Sequence, residues 1–219
     1  MKHFVFDAYG TLFDVHSAAS KHAGAIGPHW ERLSQIWRTK HLEYTWIHAA
    51  SGRHTTFWIL AQRSLDFAAA STGGLSDDLK AKLMDAYRTL SAYPEVAGML
   101  KTLRSRGATT SILTNGDPGL ITEAVQAAGL GALLDHVITV HEAGIFKPHP
   151  AVYKLATDRL ACRPADISFQ SSNRWDAAAA TVYGFKTVWV NRSGAPPEYP
   201  DMPADHTLAT LADLPKLYA

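Results

Sequence analysis

Asp7 ends the apolar run Phe4-Val5-Phe6 and leads at once into Ala8-Tyr9-Gly10-Thr11-Leu12, so a carboxylate passes from a buried strand straight into a glycine turn. A carboxylate placed there is poorly solvated and needs a cation, hydrogen-bond donors or a reaction to perform. A turn or helix N-cap aspartate has the same local signature. Three more polar clusters follow other apolar runs. Thr114-Asn115-Gly116-Asp117 presents a hydroxyl, an amide and the first amides of a helix, a combination that can hold an anion. Phe146-Lys147-Pro148-His149-Pro150 sets a lone lysine beside a histidine stiffened by prolines on both sides. Ser171-Ser172-Asn173-Arg174-Trp175-Asp176 supplies hydroxyls, an amide and a second carboxylate.

The elements that must carry these clusters alternate short apolar runs with helical periods, the pattern of an α/β fold with parallel strands and crossover helices. Strands are predicted at 3–6, 109–113, 136–139, 167–170 and 187–190, and helices at 100–106, 119–128, 151–160 and 175–183, with Pro150 and Pro164 as entry signals. Asp205 and the stretch 208–214 are expected to close the fold with a last strand and helix. In a Rossmann-like doubly wound sheet all four clusters converge on the carboxyl edge. Residues 15–93 break the rhythm. They hold most of the tryptophans, with helical spacing from Trp30 to Trp46 and from Thr56 to Phe67 and breaks at Ser51-Gly52 and Gly73-Gly74. We read them as a small helical cap subdomain inserted into a core made of 1–14 and 94–219. Most of its aromatics are read as its own core.

Composition narrows the function classes. The 219 residues, 47% hydrophobic and 19% charged, suffice for one sizeable core. A net charge of +1 without a basic run offers no footprint for nucleic acid or an anionic membrane, so a small-molecule partner is expected. The single cysteine, Cys162, excludes an intrachain disulfide framework. No apolar run approaches a membrane span and no signal peptide is evident, which makes the cytoplasm the expected location. The 11 histidines form no ligand pair, and His149 alone lies near the chemistry, as a structural residue or a proton carrier.

The order Asp-x-Tyr-Gly-Thr, Thr-Asn-Gly, Lys-Pro and Ser-Ser-Asn-x-Trp-Asp resembles the haloacid dehalogenase superfamily. The longer strings Asp-Ala-Tyr-Gly-Thr-Leu-Phe-Asp-Val and Trp-Arg-x-Lys-x-Leu-Glu-Tyr-Thr-Trp resemble, more narrowly, its L-2-haloacid dehalogenase branch. The resemblance spans nearly the whole chain. It implies a hydrolase that converts short L-2-haloalkanoic acids to D-2-hydroxy acids through an ester on Asp7, with inversion at C2. Lys147 is then the cation beside Asp7, and Asp176 the residue that orients or activates the hydrolytic water, with Asn173 and Ser171 completing the polar network. Thr11 holds the nucleophile and Thr114 the substrate carboxylate, with Tyr9 and Asn115 contributing backbone amides. Arg38, Asn115 and the edge of Trp175 cradle the halide, and Leu42, Phe57, Tyr9 and Trp175 form the apolar wall. Tyr153 sits near Lys147 in the substrate-binding set or is a plain helix core residue. Arg38 also reads as a solvated helix charge, Asp176 as a first-turn carboxylate, and Thr11 and Thr114 as turn residues.

Two features separate this branch from metal-dependent phosphatases of the superfamily. Tyr9 stands where those enzymes carry a second aspartate that protonates a leaving alkoxide, a proton that halide does not need. The fourth cluster has Asp176 as its only carboxylate, too few hard oxygens for Mg²⁺, so neither metal nor cofactor is expected. A homodimer is implied by the resemblance alone. Thr114 replaces the branch's serine, Thr39 its glutamine, and Ala178-Ala179-Ala180 a Thr/Gly-containing helix start; Arg174 stands where a small or apolar residue is usual and is either a second cation near the halide or a solvent-facing one. The alternatives are a Mg-dependent small-molecule phosphatase and a non-catalytic binding protein of the same fold.

Overall fold

The computed structural model describes residues 1–218. A six-stranded parallel sheet runs in the order β3-β2-β1-β4-β5-β6, with β1 His3–Phe6, β2 Thr109–Thr114, β3 His136–Thr139, β4 Ile167–Ser171, β5 Lys186–Val190 and β6 His206–Leu208. That order places the topological switch at β1, between the strands that precede the second and fourth polar clusters. Phe6 pairs with Ile112 of β2 on one side and with Gln170 of β4 on the other. The first strand is short because three large apolar residues buried on both sides are enough to anchor a central parallel strand. The amide of Asp7 still donates to the Gln170 carbonyl at 2.9 Å, so the residue leaves the sheet with its backbone held.

Helices fill the connections. α1 Ser17–Lys21, α2 Ala23–Ile26, α3 Trp30–Ala50, α4 Phe57–Ser71 and α5 Asp77–Arg88 follow β1. α6 Val96–Ser105, α7 Pro118–Ala127, α8 Pro150–Leu160, α9 Arg174–Tyr183 and α10 Leu214–Leu217 accompany the sheet. The predicted strands and crossover helices are present with bounds shifted by a few residues. The last helix is a correction: 208–214 holds the end of β6 and a 3₁₀ turn, and the helix begins at Leu214, because Thr210 caps that turn through its hydroxyl. α1, α2 and α5 are elements the sequence reading did not specify. Leu79, Leu83 and Tyr87 lie one turn apart on α5, and their inward face is narrow because much of the helix is exposed.

Within the helical insert α3 and α4 pack together, and the Trp37 indole Nε1 donates to the Ala61 carbonyl at 2.9 Å. An antiparallel bridge between Phe13 and Ala92 closes the insert's entry and exit, and the Tyr93 amide donates to the Leu12 carbonyl. A longer-range tie comes from Asp117. Its carboxylate accepts from the Phe57 and Trp58 amides, at 3.1 and 2.8 Å, at the N-terminus of α4, while Thr56 caps the next free amide, that of Ile59. The loop after β2 thereby fixes where α4 begins. Asp117→Ala is expected to lower unfolding stability by about 1–2 kcal/mol through loss of this charge-assisted cap, read as a shifted urea midpoint with unchanged slope.

Candidate active site

Asp7 lies at the carboxyl end of β1, buried, and receives four donors. Thr11 Oγ1, Ser171 Oγ and Asn173 Nδ2 donate to Oδ2 at 2.9, 3.4 and 2.7 Å, and the Lys147 ammonium reaches Oδ1 at 3.2 Å. The supporting hydroxyls are themselves oriented. The Ser172 amide donates to Thr11 Oγ1 at 2.8 Å and the Asn173 amide to Ser171 Oγ at 3.1 Å, so the two hydroxyl protons are left for the carboxylate. The turn that permits this bends at Gly10, where φ is +93°, a conformation costly for residues with a Cβ.

Lys147 is 1% exposed and bridges two carboxylates, reaching Asp176 Oδ2 at 2.8 Å as well as Asp7. Its backbone amide donates to Asn115 Oδ1 at 2.9 Å, which ties the third cluster to the second. Burial opposes its charge, yet Asp176 and Asp7 together outweigh that and hold the ammonium pKa above its ordinary value. Asp176, wholly buried in the first turn of α9, receives the Tyr153 hydroxyl on Oδ1 at 2.7 Å. Its carboxyl pKa is raised, by burial first, against the lowering effect of Lys147 and with a further rise from Asp7. The phenol of Tyr153 is pushed up by burial and by Asp176, so it remains a donor.

A cavity opens above Asp7, lined by Asp7, Tyr9, Arg38, Leu42, Phe57, Thr114, Asn115, Lys147, Asn173 and Trp175, and it leaves room for about one water-sized body, some 10 Å³. Every lining residue is among those singled out in the sequence. Arg38 reaches over from α3 and donates through Nη2 to the Tyr9 carbonyl at 2.9 Å and to Asn173 Oδ1 at 3.0 Å, so it is not a solvated helix charge. The Tyr9 hydroxyl and the Trp175 indole Nε1 are buried with no hydrogen-bond partner among the described residues. A side chain at Gly116 would meet the Tyr9 ring at 2.7 Å, so glycine there is what lets the ring fill the space beside the Thr114 turn. Thr114 Oγ1 accepts from the Gly116 amide at 3.0 Å.

The structure departs from the sequence reading at Arg174 and selects one of the two readings at Tyr153 and at His149. Tyr153 is fully buried behind Lys147 and does not line the cavity; it holds Asp176 instead. Arg174 faces away from the site, donating to the Tyr199 and Met202 carbonyls at 3.3 and 2.7 Å, and so is neither a cation near the cavity nor a solvent-facing one. His149 accepts the Ala151 amide at the start of α8, a capping role. Asp117, His41 and Tyr87 were not singled out for the positions they occupy behind the cavity wall. Asp117 carries a local turn signal, but no local pattern reveals that it caps a helix 60 residues away. Among the described residues no group of three or more His, Cys, Asp or Glu side chains is arranged to hold a metal.

The profile of the haloacid dehalogenase-like hydrolase family matches residues 1–184. The chain belongs to this family. Within it, the chain is 48% identical over 214 residues to (S)-2-haloacid dehalogenase 1 of Pseudomonas sp. (strain CBS-3), covering 97% of this chain and 94% of the relative. It is 42% identical over 217 residues to (S)-2-haloacid dehalogenase 4A of Burkholderia cepacia, covering 98% and 94%. The crystal structure of L-2-haloacid dehalogenase from Xanthobacter autotrophicus with chloropropionic acid covalently bound superposes with a TM-score of 0.89 at 34% identity, covering 100% of this chain and 98% of that one. These relatives place it in the L-2-haloacid dehalogenase branch of the superfamily.

The buried ion cluster makes a pH-dependent prediction for this dehalogenase-family protein. The raised pKa of Lys147 contributes stability that is present below 10.5 and is lost as pH rises through the folded value. Asp176 works in the opposite sense: its pKa is raised, so keeping it ionised in the fold costs stability once pH exceeds 3.8, and protonation removes that cost. Lys147→Met is therefore expected to lose about 3–5 kcal/mol at neutral pH by leaving buried carboxylates unpaired. The deficit, measured by urea unfolding across a pH series, should shrink as pH falls towards the carboxylate range.

Proposed function

We propose that the protein hydrolyses the carbon–halogen bond of short L-2-haloalkanoic acids, releasing halide and the D-2-hydroxy acid. The observation that carries this reading is the unequal treatment of the two Asp7 oxygens. Oδ2 takes three donors, whereas Oδ1 meets only the Lys147 ammonium and is the oxygen left to attack. In the first step Oδ1 bonds to C2 from the face opposite the halogen, the carbon–halogen bond breaks, and the halide leaves with the electron pair. Arg38, Asn115 and the unpaired indole N–H of Trp175 offer donors to that anion, and Thr114 with the turn amides offers them to the substrate carboxylate. Leu42, Phe57 and Tyr9 supply apolar wall for the short alkyl group.

In the second step water attacks Cγ of the ester. Negative charge then develops on Oδ2, the oxygen already held by Thr11, Ser171 and Asn173, so the donors that orient the nucleophile also stabilise the tetrahedral intermediate. Asp176, with its proton affinity raised by burial, takes the water's proton and returns it to Oδ1 as the Cγ–Oδ1 bond breaks, giving the hydroxyl of the product. The remaining Asp7 carboxylic acid loses its proton to solvent. The balance is haloacid plus water to hydroxy acid, halide and a proton.

Lys147 Nζ occupies the space between the two carboxylates, which supports a metal-independent reaction. We place residues 15–93 as a cap that closes over the core formed by 1–14 and 94–219, since the insert contributes Arg38, Leu42 and Phe57 to the cavity wall. We assign the protein to the cytoplasm; no helix among the described residues is long and apolar enough to cross a membrane. Homodimer formation is supported by the exposed apolar residues Trp46, Ile47 and Val182.

The test is halide release from L- and D-2-chloropropionate in EDTA, with the lactate's chirality determined and Asp7→Ala alongside. Release from the L-form alone, yielding D-lactate and falling by about 10³-fold or more in the variant, is the expected result. Phosphate release from phosphoesters with Mg²⁺, and no halide from either enantiomer, would replace this reading with the phosphatase.

A further inference from the structure

Behind Arg38, on the insert side, lies a pair of buried polar side chains that the reaction does not use. His41 on α3 and Tyr87 on α5 are 1% and 3% exposed. His41 Nε2 lies 3.1 Å from the Phe57 carbonyl oxygen, and Nδ1 lies 3.4 Å from the Tyr87 hydroxyl. A carbonyl oxygen only accepts, so Nε2 carries the ring proton, Nδ1 presents its lone pair, and Tyr87 must donate to it. Burial, reinforced by Arg38, brings the His41 pKa down to about 3, which keeps the ring neutral and both bond directions constant at any working pH. With its proton committed to His41, the Tyr87 oxygen has only lone pairs to offer the cavity that it lines with the Arg38 guanidinium. Arg38, His41 and Tyr87 wall a second cavity of about 10 Å³ together with Ser34.

The same two residues brace the rest of the wall. The Tyr87 ring stacks on Tyr9 with centroids 5.7 Å apart and planes within 4°, and the His41 ring lies 4.0 Å from that of Phe57. Arg38 is thus gripped from the core side through Nη2, by Tyr9 and Asn173, and on the insert side it shares a cavity wall with Tyr87, whose hydroxyl is directed by His41.

We propose that Phe57 C=O, His41 and Tyr87 form a positioning relay that aims the Arg38 guanidinium at the halide. The relay rests on the reading of Arg38 as part of the halide cradle. It makes His41 and Tyr87 positioning residues, acting through Arg38 without touching substrate. A directional acceptor behind a guanidinium matters most for a small spherical anion, because the donors have no shape to follow and must be aimed in advance.

The experiment measures chloride and bromide binding directly, by ³⁵Cl and ⁸¹Br line broadening and as product inhibition, in wild type, Tyr87→Phe, His41→Leu, His41→Gln and Arg38→Ala. Tyr87→Phe deletes one oxygen and keeps the stack on Tyr9, so the fold is expected to persist, checked by near-UV circular dichroism. Tyr87→Phe and His41→Leu are expected to weaken halide binding by about 5–10-fold, the scale of one oriented hydrogen bond. His41→Gln, whose amide can donate to Phe57 and accept from Tyr87, is expected to recover most of that loss. The relay is overturned if folded Tyr87→Phe binds halide as wild type does, if His41→Gln is as defective as His41→Leu, or if Arg38→Ala leaves halide binding unchanged. A wild-type protein that binds chloride but releases none from 2-chloropropionate overturns the dehalogenase reading alone, and the binding comparison still decides the relay.

Discussion

A single buried ammonium joins two carboxylates at the centre of this molecule. Removing Lys147, Asp7 and Asp176 from water is expensive, and their mutual attraction offsets that only with close geometry and further hydrogen bonds to the carboxylate oxygens turned away from the ammonium. The structure meets both conditions. Nζ touches both carboxylates, Tyr153 takes the far oxygen of Asp176, and Thr11, Ser171 and Asn173 take the far oxygen of Asp7. Each of those partners comes from a segment that the sheet must deliver to one place. The strand order, with β1 between β2 and β4, is the arrangement that brings them within hydrogen-bond reach.

Around this cluster the charges are divided by direction. Asp7 lines the cavity and Asp176 lies behind Lys147, whereas the groups of the cavity wall that are buried without a protein partner are donors, namely the Tyr9 hydroxyl and the Trp175 indole, beside the Arg38 guanidinium. A low-dielectric pocket with unpaired donors favours an acceptor-only guest, and a halide or a carboxylate is such a guest. The helical insert supplies the cation of that pocket, and Asp117 pins the start of α4 so that Phe57 and Arg38 stay in register with the core. The tie through Asp117 and the stack of Tyr87 on Tyr9 hold the insert side of the cavity wall against the core.

Most of the core and of the site was legible in the residue order, for separable reasons. The strands read clearly because parallel strands buried on both faces are continuous apolar runs, and Asp7 reads clearly because an isolated charge at the end of such a run has no solvent to turn to, whereas Lys147 and Asp176 stand out through the motifs that carry the family resemblance. α5 was missed because its fully buried residues are few, Leu83, Met84 and Tyr87, on a helix that is otherwise exposed or half-buried. Gln170 and Ser168 are fully buried within β4 although their types suggest surface, and the Tyr218 hydroxyl is what meets Ser168 from the far end of the chain.

The amino-acid sequence by itself determined the α/β class, the helical insert and the polar clusters at the strand ends, because hydrophobic period and strand-end chemistry are local properties, while the insert residues of the cavity, Arg38, Leu42 and Phe57, were implied by the resemblance of its longer motifs to a family. Only the tertiary structure decided direction: that Arg174 turns towards Tyr199 and Met202 while Arg38 turns inward, that Tyr153 backs Asp176 and does not face the cavity, and that Asp7 offers one oxygen and has the other held. A side chain's type sets which bonds it can form, but which of them it forms depends on partners tens to more than a hundred residues away, and those are chosen by packing.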